Sequence, residues 1–399
     1  MKLADRLRYF QGNVFDAMDR AKAAVAATGQ PIVDLSLGSA DLPVADHILA
    51  AIEASVRDAS TYGYQLFAST AAFRQAVATW FERRFGLRVD PEREVLTLIG
   101  SQEGTAHLPL AVMNPQEYAL VLDPGYPSHA GGVYLAGGQL YPLRLRAANH
   151  FLPDLAAIPL PVREQAKLLI LSYPHNPTTA VAPLDFFKTA VEFCDRHGIL
   201  LVHDFPYIDL VFDAERAPSI FEVDRDRQVG IEFYSLSKSY NMGGFRIGFA
   251  IGRADIIAAL RQIKSVIDFN QYAGILRGAI AALTGDQTCV QQTRQIFRQR
   301  RDTFVQALGD HGWPVPLPPA TMYVWAQLPE PWHGDSLGFC QALVKATGIA
   351  AAPGSGFGEG GEGYVRFALV RDRPCLEVAA AQIAEFSQTV VQVSGANRP

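Results

Sequence analysis

The sequence predicts an α/β fold: a large domain with a mostly parallel central sheet flanked by helices, and a smaller α+β domain beside it. Three observations carry this prediction. At 399 residues the chain is too long for one ordinary core. Between residues 94 and 251 seven short apolar runs recur, each followed by polar or Gly/Pro residues and a helical stretch, as expected of strands buried on both faces and alternating with helices. From residue 313 onward that rhythm gives way to a mixed strand and helix pattern. The boundaries read from this are 45–290 for the large domain, with 1–44 and 291–399 forming the small one.

Composition narrows the function before any motif is considered. The chain is 49% hydrophobic and 19% charged, with mean hydropathy +0.07 and net charge -5. Interspersed signs leave no basic stripe for nucleic acid or an anionic membrane, so the expected partners are small molecules or copies of the chain itself. Cys194, Cys289, Cys340 and Cys375 stand far apart without paired spacing, which indicates neither a disulfide framework nor a metal site. Met1 to Gly12 lacks the apolar centre of a signal peptide, and no run of ~18 apolar residues is present to span a bilayer. A cytoplasmic location is expected.

Taken in order, residues 15–29 place Phe15, Met18, Ala21 and Val25 on one stripe of a helix stopped by Gly29. An extended stretch, 32–37, runs into the loop Gly38-Ser39-Ala40-Asp41-Leu42-Pro43. Helix 46–58 leads through Tyr62-Gly63-Tyr64-Gln65 to helix 69–86. The seven runs are Glu94–Ile99, Ala119–Leu122, Gln139–Leu145, Lys167–Leu171, Ile199–His203, Gly230–Tyr234 and Phe245–Ile251, the last carrying Arg246 as a buried-looking charge. Residues 253–283 and 284–310 read as two helices. The small domain then offers a strand over 321–326, a helix from 337, a Gly-rich loop over 352–358, a strand over 364–369 and a closing helix to about 393. Gly356, Gly358 and Gly361 fit G-x-G-x-x-G by letter, but a strand follows where a dinucleotide site needs a helix.

In parallel sheets ligands bind beyond the carboxyl ends of the strands, so the strand ends form a candidate site. The first run is followed by Gly100-Ser101-Gln102-Glu103-Gly104, opening a helix whose free N–H groups suit a phosphate. The second ends at Asp123-Pro124-Gly125-Tyr126, the fourth at Ser172-Tyr173-Pro174-His175-Asn176, the fifth at Asp204-Phe205-Pro206-Tyr207. The sixth ends in Ser235-Leu236-Ser237-Lys238. Burial at a strand end lowers a lysine's pKa and makes its amine a nucleophile. Ser235, Ser237 and Arg246 are the groups that would hold a phosphate beside it. Taken alone, Lys238 and Arg246 read equally as a solvated lysine and a structural ion-pair partner.

The whole string S-L-S-K-S-Y-N-M-G-G-F-R-I-G-F resembles the cofactor-lysine segment of the class I/II aminotransferases, pyridoxal-phosphate enzymes of fold type I. The resemblance implies pyridoxal 5'-phosphate as cofactor, Lys238 as its Schiff-base lysine and Arg246 as a phosphate ligand, with Ser101, Gln102, Ser235 and Ser237. Tyr126 offers a face on which the pyridine ring stacks. Asp204 pairs with the ring nitrogen and keeps it protonated, and Asn176 and Tyr207 hydrogen-bond the ring's phenolate oxygen. In that family Gly38 lets substrate approach the backbone. Arg366, a lone arginine in the apolar run Tyr364-Val365-Arg366-Phe367, binds the substrate α-carboxylate.

Counting back from Phe73-Arg74 selects Tyr64 as the tyrosine that reaches the phosphate of a neighbouring subunit, which implies a homodimer; Ser69 stands where the family has glycine. The resemblance therefore implies amino transfer between an L-amino acid and a 2-oxo acid such as 2-oxoglutarate. The Phe269-Asn270 pair is similar to one in LL-diaminopimelate aminotransferases, where the asparagine touches substrate, although a tyrosine expected near the N-terminus aligns with Asn13. Three other readings stay open. The same cofactor could serve C–S lysis or another elimination. A cofactor-binding transcription regulator would need a DNA-binding module before the fold, which starts within ~15 residues of Met1. A nicotinamide-dependent dehydrogenase has only the glycine pattern in its favour.

Overall fold

A computed structural model describes residues 3–10, 14–214, 216–330 and 332–396, with side chains of the last helix as far as Gln388. Asn13 lies outside the described residues. All seven apolar runs are strands of one sheet: β1 Val95–Leu98, β2 Tyr118–Asp123, β3 Gln139–Arg144, β4 Ala166–Leu171, β5 Leu200–Asp204, β6 Gly230–Ser235 and β7 Gly248–Gly252. Their order is β1-β7-β6-β5-β4-β2-β3. Only β7 runs against its neighbours β1 and β6; the four remaining pairings are parallel.

Burial on both faces explains the unbroken apolar runs. One face packs Phe73, Trp80, Phe81, Phe187 and Phe221 against Tyr234 and Phe249. The other carries Leu98, Leu108, Leu168, Ile231 and Phe233. Each fully buried side chain of this size contributes ~1.5–3 kcal/mol, so the sheet is a stiff platform for whatever its strand ends hold.

Two expectations need correction. The run Phe245–Ile251 is a strand only from Gly248. Gly243–Phe245 form a 3-10 turn and Arg246 is left-handed, with φ 53. That conformation cannot continue a ladder, and the Arg246 carbonyl accepts instead from Gln271 Nε2 at 3.2 Å. Arg246 is exposed, not buried.

The helix expected over 253–283 is two, Ala254–Ile267 and Ala273–Thr284. Long-range polar bonds hold the break open. Lys264 Nζ, wholly buried, reaches Glu103 Oε1 at 2.7 Å and Asp268 Oδ1 at 2.9 Å. Asn270 Nδ2 donates to Gln65 O at 2.9 Å, and Tyr272 Oη donates to Ser55 O at 2.8 Å. Residue periodicity reports none of these partners.

The remaining layer is α+β. Tyr364–Ala368 pairs antiparallel with Tyr323–Gln327 and with Ala352–Pro353. Val33–Asp34 pairs in parallel with Ile349–Ala350, which ties the N-terminal segment to this layer. Helices Val14–Ala26, Thr288–Asp310, Ser336–Thr347 and Arg373–Ala396 enclose a second core around Phe297, Phe304, Phe339 and Phe367. Met18 and Leu35 belong to it, and so do Tyr207 and Leu210 from the loop beyond β5. The two layers therefore meet where the strand ends point.

Candidate active site

A cavity of ≈ 560 Å³ opens at that junction. Its walls include Ser101, Gln102, Tyr126, Asn176, Asp204, Tyr207, Ser235, Ser237, Lys238, Arg246, Gly38 and Arg366. The cavity thus gathers all but two of the expected site residues. Tyr64 and Asn270 are the exceptions and do not line it. Another cavity, of ≈ 620 Å³ between Phe67, Arg74, Arg261 and Ser265, contains none of them.

Lys238 sits in the helical turn Leu236–Ser239 that follows β6 directly, so its position is set by a buried strand. Its Nζ donates to the Gly38 carbonyl. Burial draws the Lys238 pKa below the ordinary lysine range; Tyr323 opposes this, while Arg366 and Arg246 add to it. The result favours a neutral, nucleophilic amine. Ser235 caps the same turn, its Oγ accepting from Ser237 N at 3.2 Å.

Asp204 ends β5 at 4% exposure. His129 Nε2 lies 3.0 Å from its Oδ2, whereas Oδ1 is buried without a partner. An unpartnered buried carboxylate oxygen on a residue of the cavity wall calls for a donor from a bound molecule. Tyr126 lines the cavity half-buried, its Oη 3.4 Å from Gln102 Oε1, and burial raises its pKa.

Arg366 is buried at 5% exposure. Its Nη1 donates to Asn176 Oδ1 at 2.7 Å and its Nη2 to Ser36 O at 2.8 Å, while Nε has no partner. The guanidinium carbon lies 4.2 Å from the Tyr323 ring centroid and 4.6 Å from that of Phe357. This fork is held in place yet retains donor capacity, as an anion site requires.

Gly100, with φ 77, starts helix Ser101–Val112 without a side-chain cap, so the first N–H groups of that helix remain available. A Cβ on Gly100 would stand 2.6 Å from Arg246 Nη2. Arg246 and the helix start thus converge on one corner of the cavity, the pairing an anionic group needs.

Tyr64 is 88% exposed. Asn270 is held by Gln65, next to Tyr64 in sequence, so the two residues outside the cavity belong to one surface region. Sequence reasoning missed His129, the partner of Asp204 behind the wall, and several residues of the wall itself. His129 stands one helical turn beyond Tyr126, on the helix Pro127–Leu135 that Pro127 opens, a spacing that could have flagged it. Phe15, Met18, Asp19 and Lys22 bring the N-terminal helix to the wall. Tyr323, with its hydroxyl 2.8 Å from that of Tyr207, was visible only as one more strand residue.

The family model described as aminotransferase class I and II matches residues 30–383. The chain belongs to the class I and II aminotransferases. It is 43% identical over 380 residues to the LL-diaminopimelate aminotransferase of Desulforudis audaxviator, covering 95% of this chain and 96% of that protein. The LL-diaminopimelate aminotransferase of Syntrophobacter fumaroxidans is 42% identical over 384 residues, 96% and 98% of the two chains. Among solved structures, a probable N-succinyldiaminopimelate aminotransferase from Thermus thermophilus superposes with TM-score 0.88 at 43% identity, over 93% of this chain and 99% of the other.

Membership makes this aminotransferase a fold type I enzyme that uses pyridoxal 5'-phosphate, with an amino acid and a 2-oxo acid as substrates. The relatives give no support to the elimination alternative. The residues present fit the cofactor: Asp204 Oδ1 lacks a donor, and the Gly100 helix start with Arg246 offers an anion corner. Among the described residues, no helix is long and apolar enough to cross a membrane.

Proposed function

We propose that this aminotransferase takes its amino group from LL-diaminopimelate, or another long-chain or dicarboxylic L-amino acid, and passes it to 2-oxoglutarate. One observation supports the assignment of roles above all others: Lys238, Asp204 and the Arg366–Asn176 pair share a single cavity wall. When bound, the cofactor supplies a carbonyl that an amine can link to and a ring that takes up the electron pair left at the substrate Cα. Asp204 would hold the proton on the ring nitrogen with its free Oδ1, itself oriented by His129. Lys238 would link to the cofactor, give way to the substrate amine and then move the proton from Cα. Arg366 would take the α-carboxylate and so fix which Cα bond faces the ring.

Asn176 receives Arg366 on its Oδ1, which leaves its Nδ2 to donate to the ring oxygen beside the Tyr207 hydroxyl. The backbone N–H of Ser101 and Gln102, with Ser235, Ser237 and Arg246, would hold the phosphate. Tyr126 would stack on the ring. Gly38 serves this reading from the substrate side: it keeps the loop low against the cavity.

Tyr62, Tyr64, Leu66, Val266, Ile267 and Phe269 are all exposed apolar side chains around the Gln65–Asn270 bond, and a second copy of the chain is the occupant that suits them. In that homodimer Tyr64 would reach the partner's phosphate and Asn270 its substrate. Residues 45–290 and the remaining segments are read as two domains that adjust about the cavity, in a cytoplasmic enzyme. The substrate assignment is supported by the names of the relatives and by the absence of a second arginine at 269–272.

A donor panel decides it. With 2-oxoglutarate and pyruvate as acceptors, LL-diaminopimelate, N-succinyl-LL-diaminopimelate, glutamate, aspartate, alanine and valine are compared by kcat/KM. LL-diaminopimelate with 2-oxoglutarate should lead. A preference for alanine or valine would overturn the substrate assignment and leave the amino-transfer chemistry intact.

A further inference from the structure

Several polar side chains of the cavity wall have no role in this scheme, and Tyr323 is one of them. Tyr323 opens the strand Tyr323–Gln327 and is 2% exposed. Its hydroxyl lies 2.8 Å from the Tyr207 hydroxyl, and the two rings meet edge to face with centroids 5.7 Å apart. The Arg366 guanidinium carbon sits 4.2 Å from its ring centroid. Its hydroxyl fills the space that a Cβ on Gly38 would need, and the Gly38 carbonyl is the acceptor of Lys238 Nζ.

The backbone fastens Tyr323 to the same loop that presents Tyr207. Tyr323 N donates to Thr321 Oγ1 at 3.2 Å, Thr321 N donates to Leu210 O at 2.7 Å, and Leu210 N donates to Tyr207 O at 3.0 Å. A residue of the small layer therefore touches the α-carboxylate arginine, the Tyr207 phenol and the backbone that holds the lysine.

We propose that Tyr323 is a positioning residue: its hydroxyl fixes that of Tyr207 so that Tyr207 donates to the ring oxygen of the bound cofactor, and its ring face seats Arg366 for the substrate carboxylate. This rests on the reading that Tyr207 faces the ring oxygen. A phenol has one proton and two lone pairs, so two phenols in contact share one hydrogen and leave the other free. At 2.8 Å either hydroxyl can be the donor. When the ring oxygen takes the Tyr207 proton, the Tyr207 lone pairs remain to accept from Tyr323, so one orientation of the pair serves the cavity.

The test separates hydroxyl from ring. Tyr323→Phe keeps the face under Arg366 and removes the hydroxyl, while Tyr323→Leu removes both. In the holoenzyme, the visible absorbance of the lysine–cofactor linkage is titrated with pH, and KM and kcat are measured for the amino donor. Tyr323→Phe should raise the linkage pKa by about one unit, the tenfold change expected when one hydrogen bond to the ring oxygen is lost, with donor KM within about twofold of wild type. Tyr323→Leu should show the same shift and a donor KM raised about tenfold or more. Gly38→Ala, whose Cβ displaces the Tyr323 hydroxyl, should give the shift by an independent route, so the claim does not depend on one variant folding.

Tyr207→Phe is the reference, and combining it with Tyr323→Phe should add no further shift. If Tyr207→Phe shifts the titration while Tyr323→Phe and Gly38→Ala follow wild type, the positioning role is wrong and the Tyr207 reading stands. If Tyr207→Phe also follows wild type, the Tyr207 reading fails and the inference falls with it. Equal donor KM in the Phe and Leu variants would overturn the part assigned to the ring.

Discussion

Arg366 Nη1 donates to Asn176 Oδ1 at 2.7 Å, joining a strand of the small layer to the loop beyond β4 at the floor of the cavity. The bond orients both partners at once. It turns the Asn176 amide so that Nδ2 points away from Arg366, and it holds the guanidinium for a carboxylate. Asn176→Ala should therefore weaken binding of both the amino donor and the 2-oxo acid, each KM rising about tenfold to a hundredfold for the loss of a hydrogen bond to a charged group. Initial-rate kinetics in both directions measure this. An unchanged KM for both substrates would separate Asn176 from the carboxylate site.

Asp204 makes a different prediction because, in the proposed function, its unpartnered oxygen serves the cofactor and not the substrate carboxylate. Asp204→Ala should retain bound cofactor through the phosphate corner but lower kcat by about a hundredfold or more, since an unprotonated pyridine is a poor electron sink. Cofactor content by absorbance and single-turnover rates report the two effects separately. Near wild-type turnover would reduce Asp204 to the structural partner of His129.

The depressed Lys238 pKa has a consequence for stability. Its folded value lies below 10.5, so between the two values the unfolded chain binds more protons, and stability conferred at this position rises with pH. In the cofactor-free protein, Lys238→Met should unfold at a higher temperature than wild type at pH 7, and the gap should narrow as the pH approaches 10. Thermal unfolding across that range tests the sign. A gap that widened with pH would mean that the buried amine is charged.

Tyr64, at 88% exposure, does not line the cavity of its own chain, and the proposed homodimer would place it at the partner's. Mixing Tyr64→Ala with Lys238→Ala should recover activity, since a hybrid dimer contains one site with both residues intact. A quarter or so of wild-type activity is the expected order when subunits exchange freely, by counting sites. Proven exchange without recovery would confine Tyr64 to its own chain.

Much of this site was legible because parallel strands buried on both faces end at one edge. Seven apolar runs announced the strands, and five of them lead within five residues to a wall residue: Ser101, Tyr126, Asn176, Tyr207 and Lys238 needed only the rule that ligands bind at strand carboxyl ends. What stayed hidden depends on partners distant in sequence. The break at Asp268 is made by Lys264 and Glu103, which are 161 residues apart. Tyr323 meets Tyr207 across 116 residues. Arg246 was misplaced in a strand because apolar neighbours on both sides conceal a left-handed backbone that only a turn reveals. Gly38 shows the same limit. Its sequence context suggests a loop, and only packing shows that the Tyr323 hydroxyl fills the room a side chain would require.

In the proposed function the amine of Lys238 carries the cofactor in this cavity. Borohydride reduction of the yellow holoenzyme, followed by proteolysis and mass spectrometry of the peptides, tests it most directly. Loss of the visible band is expected, with a reduced pyridoxyl phosphate adduct on the peptide containing Lys238 and neither adduct nor activity in Lys238→Ala. An adduct on another lysine, or full transamination by Lys238→Ala, would contradict it.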